Sequence, residues 1–133
     1  MRITCALPAL TIALTLCAAL PAAASDTPPA HATTPNQTEL LAMIKGNSSV
    51  GHWAGTPYKQ FFNANGSTRY DEEGRRPSQG TWRVASDGKY CSVWPPSSRE
   101  TCYSLVVDGR DIYWQSGDKH YKSTVVDGNI FLQ

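Results

Sequence analysis

Three neighbouring carboxylates, Asp71, Glu72 and Glu73, are the densest group of side chains here that could do chemistry, either general acid–base work or ligation of calcium. Neighbours on an extended segment point alternately to opposite sides, and no glycine-framed ligand loop or matching acid follows. They read as a solvated turn, as does the pair Arg75-Arg76 behind them. His52 and His120 lack the paired spacing of zinc ligands, and two cysteines alone do not complete a metal set. Ser97-Ser98 and Ser116-Gly117 lie in turn sequences, not in a nucleophile elbow. The expectation is a protein that is not an enzyme and uses no metal and no cofactor.

Aromatic surface is what the chain offers instead. Tyr58, Tyr70, Tyr90, Tyr103, Tyr113 and Tyr121 join Trp53, Trp82, Trp94 and Trp114, all of them rings with a polar tip. Such residues either fill a small barrel or line a ligand pocket. Trp94 precedes Pro95-Pro96 at a hairpin tip, where a ring marks a contact site or stacks on the prolines.

The elements that must position these rings begin after a leader. Arg2, the apolar stretch from Ile3 to Leu20 and Ala22-Ala23-Ala24 have the order of a secretory signal peptide, with cleavage expected after Ala24 and an uncleaved anchor as the alternative. Removal takes away Arg2, Cys5 and Cys17, so the 12 basic residues of the chain fall to equality with its 11 acidic ones. A neutral chain without a basic cluster gives no reason to expect nucleic acid as a partner, or stable membrane insertion after cleavage. A bacterial periplasmic or secreted location follows, where Cys91 and Cys102 oxidise. Residues 25–37, largely SDTPPAHATTPN, have nothing to bury and read as a flexible tether. Residues 38–133 then form a single domain.

That domain opens with one short helix over 38–46, where Leu40, Leu41 and Ile44 share a face and Gly46 offers a stop. Short β-branched and aromatic runs follow, punctuated by NANGS, ASDGK, VVDGRD, SGDKH and VVDGNI. These spacings predict strands near 50–53, 57–63, 67–72, 79–85, 89–94, 101–107, 111–116, 119–126 and 129–132. The fold class is therefore all-β, an antiparallel meander forming a small barrel or strongly curved sheet, with one disulfide.

Cys91 facing Cys102 sets the register. It places Tyr90 opposite Tyr103, and the disulfide closes a loop worth roughly 3 kcal/mol in chain entropy. A two-residue Asp108-Gly109 turn then sets Tyr103 opposite Trp114, and Gly117-Asp118 sets Trp114 opposite Tyr121. A three-residue Ser86-Asp87-Gly88 loop puts Trp82 and Val84 beside Tyr90. One face thus gathers Tyr90, Tyr103, Trp114, Tyr121 and Trp82 as the interior and candidate ligand-binding set. The other carries Arg83, Cys91, Glu100, Cys102 and Tyr113, a mixed face suited to a lid such as the helix.

GNSSVG, YKQFFNANGSTRY, GTWRV, DGKYCSVW, TCYSLVVDG and HYKSTVVDGN together resemble a family of small exported proteobacterial proteins of unknown function. Gly80-Thr81-Trp82 with Cys91 and Cys102 carries that resemblance best, and it implies export and a disulfide-bearing β domain. A second resemblance is to periplasmic inhibitors of lysozyme, small disulfide-linked barrels that present a Ser-Gly loop near a tyrosine. Ser116-Gly117-Asp118-Lys119-His120-Tyr121 has one more residue between glycine and tyrosine than their pattern. The functional expectation is an exported, monomeric, non-enzymatic binding domain for a small apolar or amphipathic ligand or a cell-envelope partner. The alternative is a protein inhibitor acting through the 115–121 loop, with Trp94, Ser116, Gly117 and Lys119 as contact residues.

Overall fold

The computed structural model describes residues 25–133, so the expected signal segment with Cys5 and Cys17 lies outside the described residues. A capping box starts α1, Gln37–Ile44: the Asn36 side chain accepts from the Glu39 amide at 2.9 Å, and the Glu39 carboxylate accepts from the Asn36 amide at 2.8 Å. Just beyond the helix, Gly46 takes a φ of 78° and turns the chain into the sheet. No helix among the described residues is long and apolar enough to cross a membrane.

Nine antiparallel strands follow: β1 Ser48–Trp53, β2 Thr56–Phe62, β3 Ser67–Glu72, β4 Ser78–Val84, β5 Tyr90–Val93, β6 Glu100–Tyr103, β7 Leu105–Asp108, β8 Asp111–Ser116 and β9 Lys119–Val126. Their order across the sheet is β6-β5-β4-β3-β2-β1-β9-β8-β7. The two outermost strands are consecutive in the chain, with only Ser104 between them. One segment therefore pairs with β5 through its first half and with β8 through its second, which wraps the sheet into a nearly closed barrel. This corrects the single strand expected over 101–107. The break falls where the segment changes partner, and there the Ser104 carbonyl accepts from the Gln115 amide at 2.9 Å.

Turn chemistry fixes the rest of the register. Cys91 faces Cys102 and Tyr90 faces Tyr103, as the disulfide requires. Ala85 and Lys89 close the Ser86-Asp87-Gly88 loop with Gly88 at φ 86°, and Trp114 faces Tyr121 across the Gly117-Asp118 turn. The β7–β8 hairpin differs from expectation. Its turn residues are Gly109-Arg110, so Trp114 faces Leu105, not Tyr103. VVDGRD holds two possible two-residue frames. The one realised puts Gly109, at φ 57°, first in the turn, as a II′ turn requires, and spares Asp108 a positive φ. The slip is one whole pair, so side chains keep their faces.

Alternate residues fill the barrel, and its two ends differ. At one end Leu40 and Ile44 of α1 enter a cluster with Phe62, Trp82, Val84, Leu105, Ile112 and Val125. The helix is thus a plug in the interior and not a lid on the outer face. Outside, the candidate ground is an Arg83–Glu100 ion pair at 2.6 Å, whereas the barrel end offers apolar rings and branched chains for two leucine-sized residues to bury against. The expected strand over 129–132 is instead a 3-10 turn, Ile130–Leu132. β1 and β9 already have partners on both sides, so the segment has no open edge to join. Phe131 instead lies under the cations of Arg69 and Lys59, 4.3 and 5.1 Å from its centroid.

The stretch expected to be a tether, 25–37, is hydrogen-bonded to the sheet. The Asp26 amide donates to the His120 carbonyl, the Asp26 carboxylate accepts from the Lys122 amide, and Thr33 exchanges two backbone bonds with Val107. Its prolines have no amide to satisfy, so an extended course over the surface leaves few donors unmet. The anchors on β9 and β7 flank β8, whose outward-facing Tyr113 is buried.

Candidate functional site

The other end of the barrel is open. Strand direction places the turns at 54–55, 73–77, 94–99 and 117–118 around its rim, and between them lies a cup of about 410 Å³. Inward residues of successive strands build it. On one wall Tyr58 of β2 stacks on Tyr70 of β3 at 5.1 Å, and Trp94 beyond β5 meets Tyr70 edge-on at 5.9 Å. On the other, Trp53 of β1 reaches across the mouth to Tyr103 of β6 at 5.5 Å and lies on Tyr121 at 4.9 Å. Tyr90 and Trp114 meet at 5.2 Å and 70° towards the floor.

Two glycines shape the walls. A Cβ at Gly51 would run into the backbone of Lys122 and Ser123, so β1 can press against β9 only without a side chain there. At Gly80 a Cβ would come 2.8 Å from Cε3 of Trp94. The bare backbone lets the indole fold down onto the sheet, and its Nε1 donates to Ser92 Oγ at 3.0 Å. Trp94 is therefore part of the cup wall and not a ring standing free at the hairpin tip.

A polar floor lies beneath the rings. Gln60, buried on β2, donates from Nε2 to Thr68 Oγ1 at 2.9 Å and to Tyr90 Oη at 2.8 Å. Thr68 donates in turn to the Phe61 carbonyl at 2.8 Å. A second set lies behind Tyr58, where Trp114 Nε1 donates to Ser123 Oγ at 2.8 Å. The buried Ser49 Oγ stands close enough to favour a Tyr58 phenolate, yet lacks the geometry of a hydrogen bond to it.

Burial governs the phenols. It pushes Tyr58 and Tyr90 above the ordinary tyrosine range, against the opposing pull of neighbouring hydroxyl, amide and indole groups. Tyr70 rises by burial and by the negative charge of Glu72. All three remain neutral hydrogen-bonding groups at physiological pH.

The acidic run is only partly a solvated turn. Asp71 faces outward and pairs with Arg69 at 3.0 Å, whereas Glu72 lines the cup and holds Arg75 at 3.4 Å. Arg76 also lines the mouth and has no ion-pair partner among the described residues.

Of the residues singled out in the sequence, Tyr90, Tyr103 and Trp114 come together in the cup. Tyr121 is buried behind Trp53. Trp82 stands in the closed half, edge-on to Phe62, with its Nε1 donating to the Asn63 carbonyl at 2.9 Å. Ser116 and Lys119 close the Gly117-Asp118 turn on the rim, beside the cup and not in its lining. Cys91 and Cys102 are joined at 2.03 Å on the outer face. Glu100 is near enough to complete a ligand trio, but the joined sulfurs leave no thiolate for a metal.

Sequence reasoning missed Gln60, Ser92, Glu72, Arg75, Arg76 and Ser78 in the lining. A signal existed for two of them. Tyr58-x-Gln60-x-Phe62 and Tyr90-x-Ser92-x-Trp94 each set a polar residue between two rings on one face of a strand. Comparison with protein-family models, with curated proteins and with solved structures finds no match to this chain.

Proposed function

We propose that the protein is a non-enzymatic binding protein that takes a small molecule with a flat or ring-shaped, largely apolar body into the open end of the barrel. The observation that carries this reading is the cup itself: a space of about 410 Å³ left open at one end of a small barrel, walled by rings and floored by oriented polar groups. Ligands bind in the mouths of β-barrels because the scaffold holds such walls rigid. Among the described residues of the lining there is one carboxylate, Glu72, already held by Arg75, and no histidine. That inventory favours binding over proton transfer. The disulfide supports an oxidising, extracytoplasmic setting, since such bonds persist there.

Titration with anilinonaphthalene sulfonate, an amphipathic fluorescent dye, tests the reading. Dye fluorescence should rise on binding, and Ser78→Trp, which fills the mouth from an exposed position, should weaken binding at least about tenfold. No dye uptake, or uptake indifferent to Ser78→Trp, sinks the proposal.

The rim position of the Ser116–Lys119 turn favours a second reading, an inhibitor that inserts this turn into a partner's cleft. Unchanged lysozyme turnover at micromolar protein would dispose of its lysozyme form.

A further inference from the structure

Counting hydrogens on the floor of the cup narrows the ligand. The Thr68 hydroxyl proton goes to the Phe61 carbonyl, so Thr68 Oγ1 can only accept from Gln60. This fixes the orientation of the Gln60 amide. Both Nε2 hydrogens are committed, to Thr68 and to Tyr90, and Oε1 is an acceptor with no donor to it among the described residues. Tyr90 Oη has accepted from Gln60 and keeps its own proton to donate. Ser92 Oγ has accepted from Trp94 Nε1 and stands near enough to Tyr90 Oη for the two hydroxyls to share one proton between them. One acceptor beside a pair of hydroxyls with at least one proton to give therefore lies at the bottom of an aromatic shaft.

That arrangement selects by charge and by pattern. A carboxylate pushed inward would take the hydroxyl protons but set an anionic oxygen beside Oε1, and an ammonium would lose its water to a floor of Gln60, Thr68, Tyr90 and Ser92 that holds no carboxylate. A hydrocarbon would leave all three groups unpaired, which is costly when they are buried. An amide supplies both kinds of partner, an N–H for Gln60 Oε1 and a carbonyl for a hydroxyl proton of the Tyr90–Ser92 pair. At the mouth Arg76, without an ion-pair partner among the described residues, suits an anion left at the solvent edge.

Building on the proposed binding role of the cup, we infer that it takes an amide-bearing organic anion, the amide inward on Gln60, Tyr90 and Ser92 and the carboxylate outward at Arg76. Acylated amino acids and N-acetylated sugar acids share this chemistry, and either kind of ring can lie on the aromatic walls.

Calorimetric titration with N-acetylphenylalanine, its amide-free counterpart phenylpropanoate, its uncharged counterpart N-acetylphenylalaninamide, and N-acetylmuramic acid tests the inference. The amide-bearing acid should bind about tenfold tighter than phenylpropanoate, since the latter leaves the floor unpaired. Gln60→Met, which removes the acceptor for the amide N–H and leaves the hydroxyls, should lower that ratio several-fold. If this variant does not fold, Ser92→Ala should lower the ratio by removing one donor. Arg76→Ala should cut the preference for carboxylate over carboxamide by about two- to fivefold, an exposed charge being well screened. Whichever of N-acetylphenylalanine and N-acetylmuramic acid binds tighter identifies the source of the amide. Equal binding of phenylpropanoate and N-acetylphenylalanine, or a ratio indifferent to both floor variants, overturns the inference. Dye uptake without binding of any amide probe overturns it too, while leaving the cup a binding site. Failure of dye and probes alike removes both.

Discussion

The closed half of the barrel and the open half are built from the same strands, yet they solve opposite problems. In the closed half Leu40 and Ile44 from α1 complete a cluster in which Phe62, Ile112 and Val125 are almost wholly shielded from water. Trp82, the one indole there, satisfies its N–H on a backbone carbonyl. In the open half the inward positions hold Tyr58, Gln60, Tyr70, Ser92 and Trp94, and no helix descends to cover them. The first half is packed mainly by apolar side chains, whose burial stabilises in proportion to the area removed from water. The second half spends part of that burial on keeping polar atoms oriented. A barrel of this size can thus carry a cup when a single short helix concentrates the core at the other end.

The comparison breaks first on truncation. Phe62→Ala should lower the free energy of unfolding by about 3–5 kcal/mol, and Tyr70→Ala by only about 1 kcal/mol, roughly the worth of one aromatic pair. Urea denaturation of both variants checks this, and equal losses would mean that the two halves share the load. Replacing both Cys91 and Cys102 by alanine should cost roughly 3 kcal/mol by loosening the unfolded chain, while dye uptake by the cup survives, because the bridge lies on the outer face.

Alkali sharpens the comparison with a smaller effect. Burial raises Tyr58 and Tyr90 in the folded state above the ordinary value of 10.0. Above that pH the unfolded chain gives up protons that the folded chain retains, so stability present at neutral pH is lost as pH rises. The expected slope is roughly 1.4 kcal/mol per pH unit for each phenol. Tyr58→Phe with Tyr90→Phe should flatten the pH dependence of the urea midpoint between neutral pH and strong alkali. An unchanged slope would show that both phenols titrate freely.

How much of this was legible depended on whether local chemistry or chain-wide geometry decided each feature. The three-residue loop ending at Gly88 and the disulfide register were readable because turn type and sulfur reach act over a few residues. The Gly109-Arg110 frame was not, since VVDGRD offers two overlapping two-residue turns and the choice rests on where the positive φ of Gly109 falls within the turn. The position of α1 was unreadable for a related reason: Leu40 and Ile44 announce a buried face without saying which cavity receives it. In the candidate site the rings were legible as types, but only the alternation on β2 and β5 could have flagged Gln60 and Ser92. The inward turn of Glu72 depends on the register of β3, which no short motif fixes.

The segment that closes the barrel has a consequence for how this molecule meets its own copies. Unpaired strand edges are where chains add to one another and grow into fibres. Here 100–103 is stitched to β5 and 105–108 to β8, and Thr33 occupies the remaining backbone groups of Val107. A growing fibre needs a straight run of open amides and carbonyls, and the segment most exposed to that risk has been bent at Ser104 and stoppered by the protein's own leading residues. In a crowded compartment, the strap that looked like slack chain is then a guard on the barrel's seam.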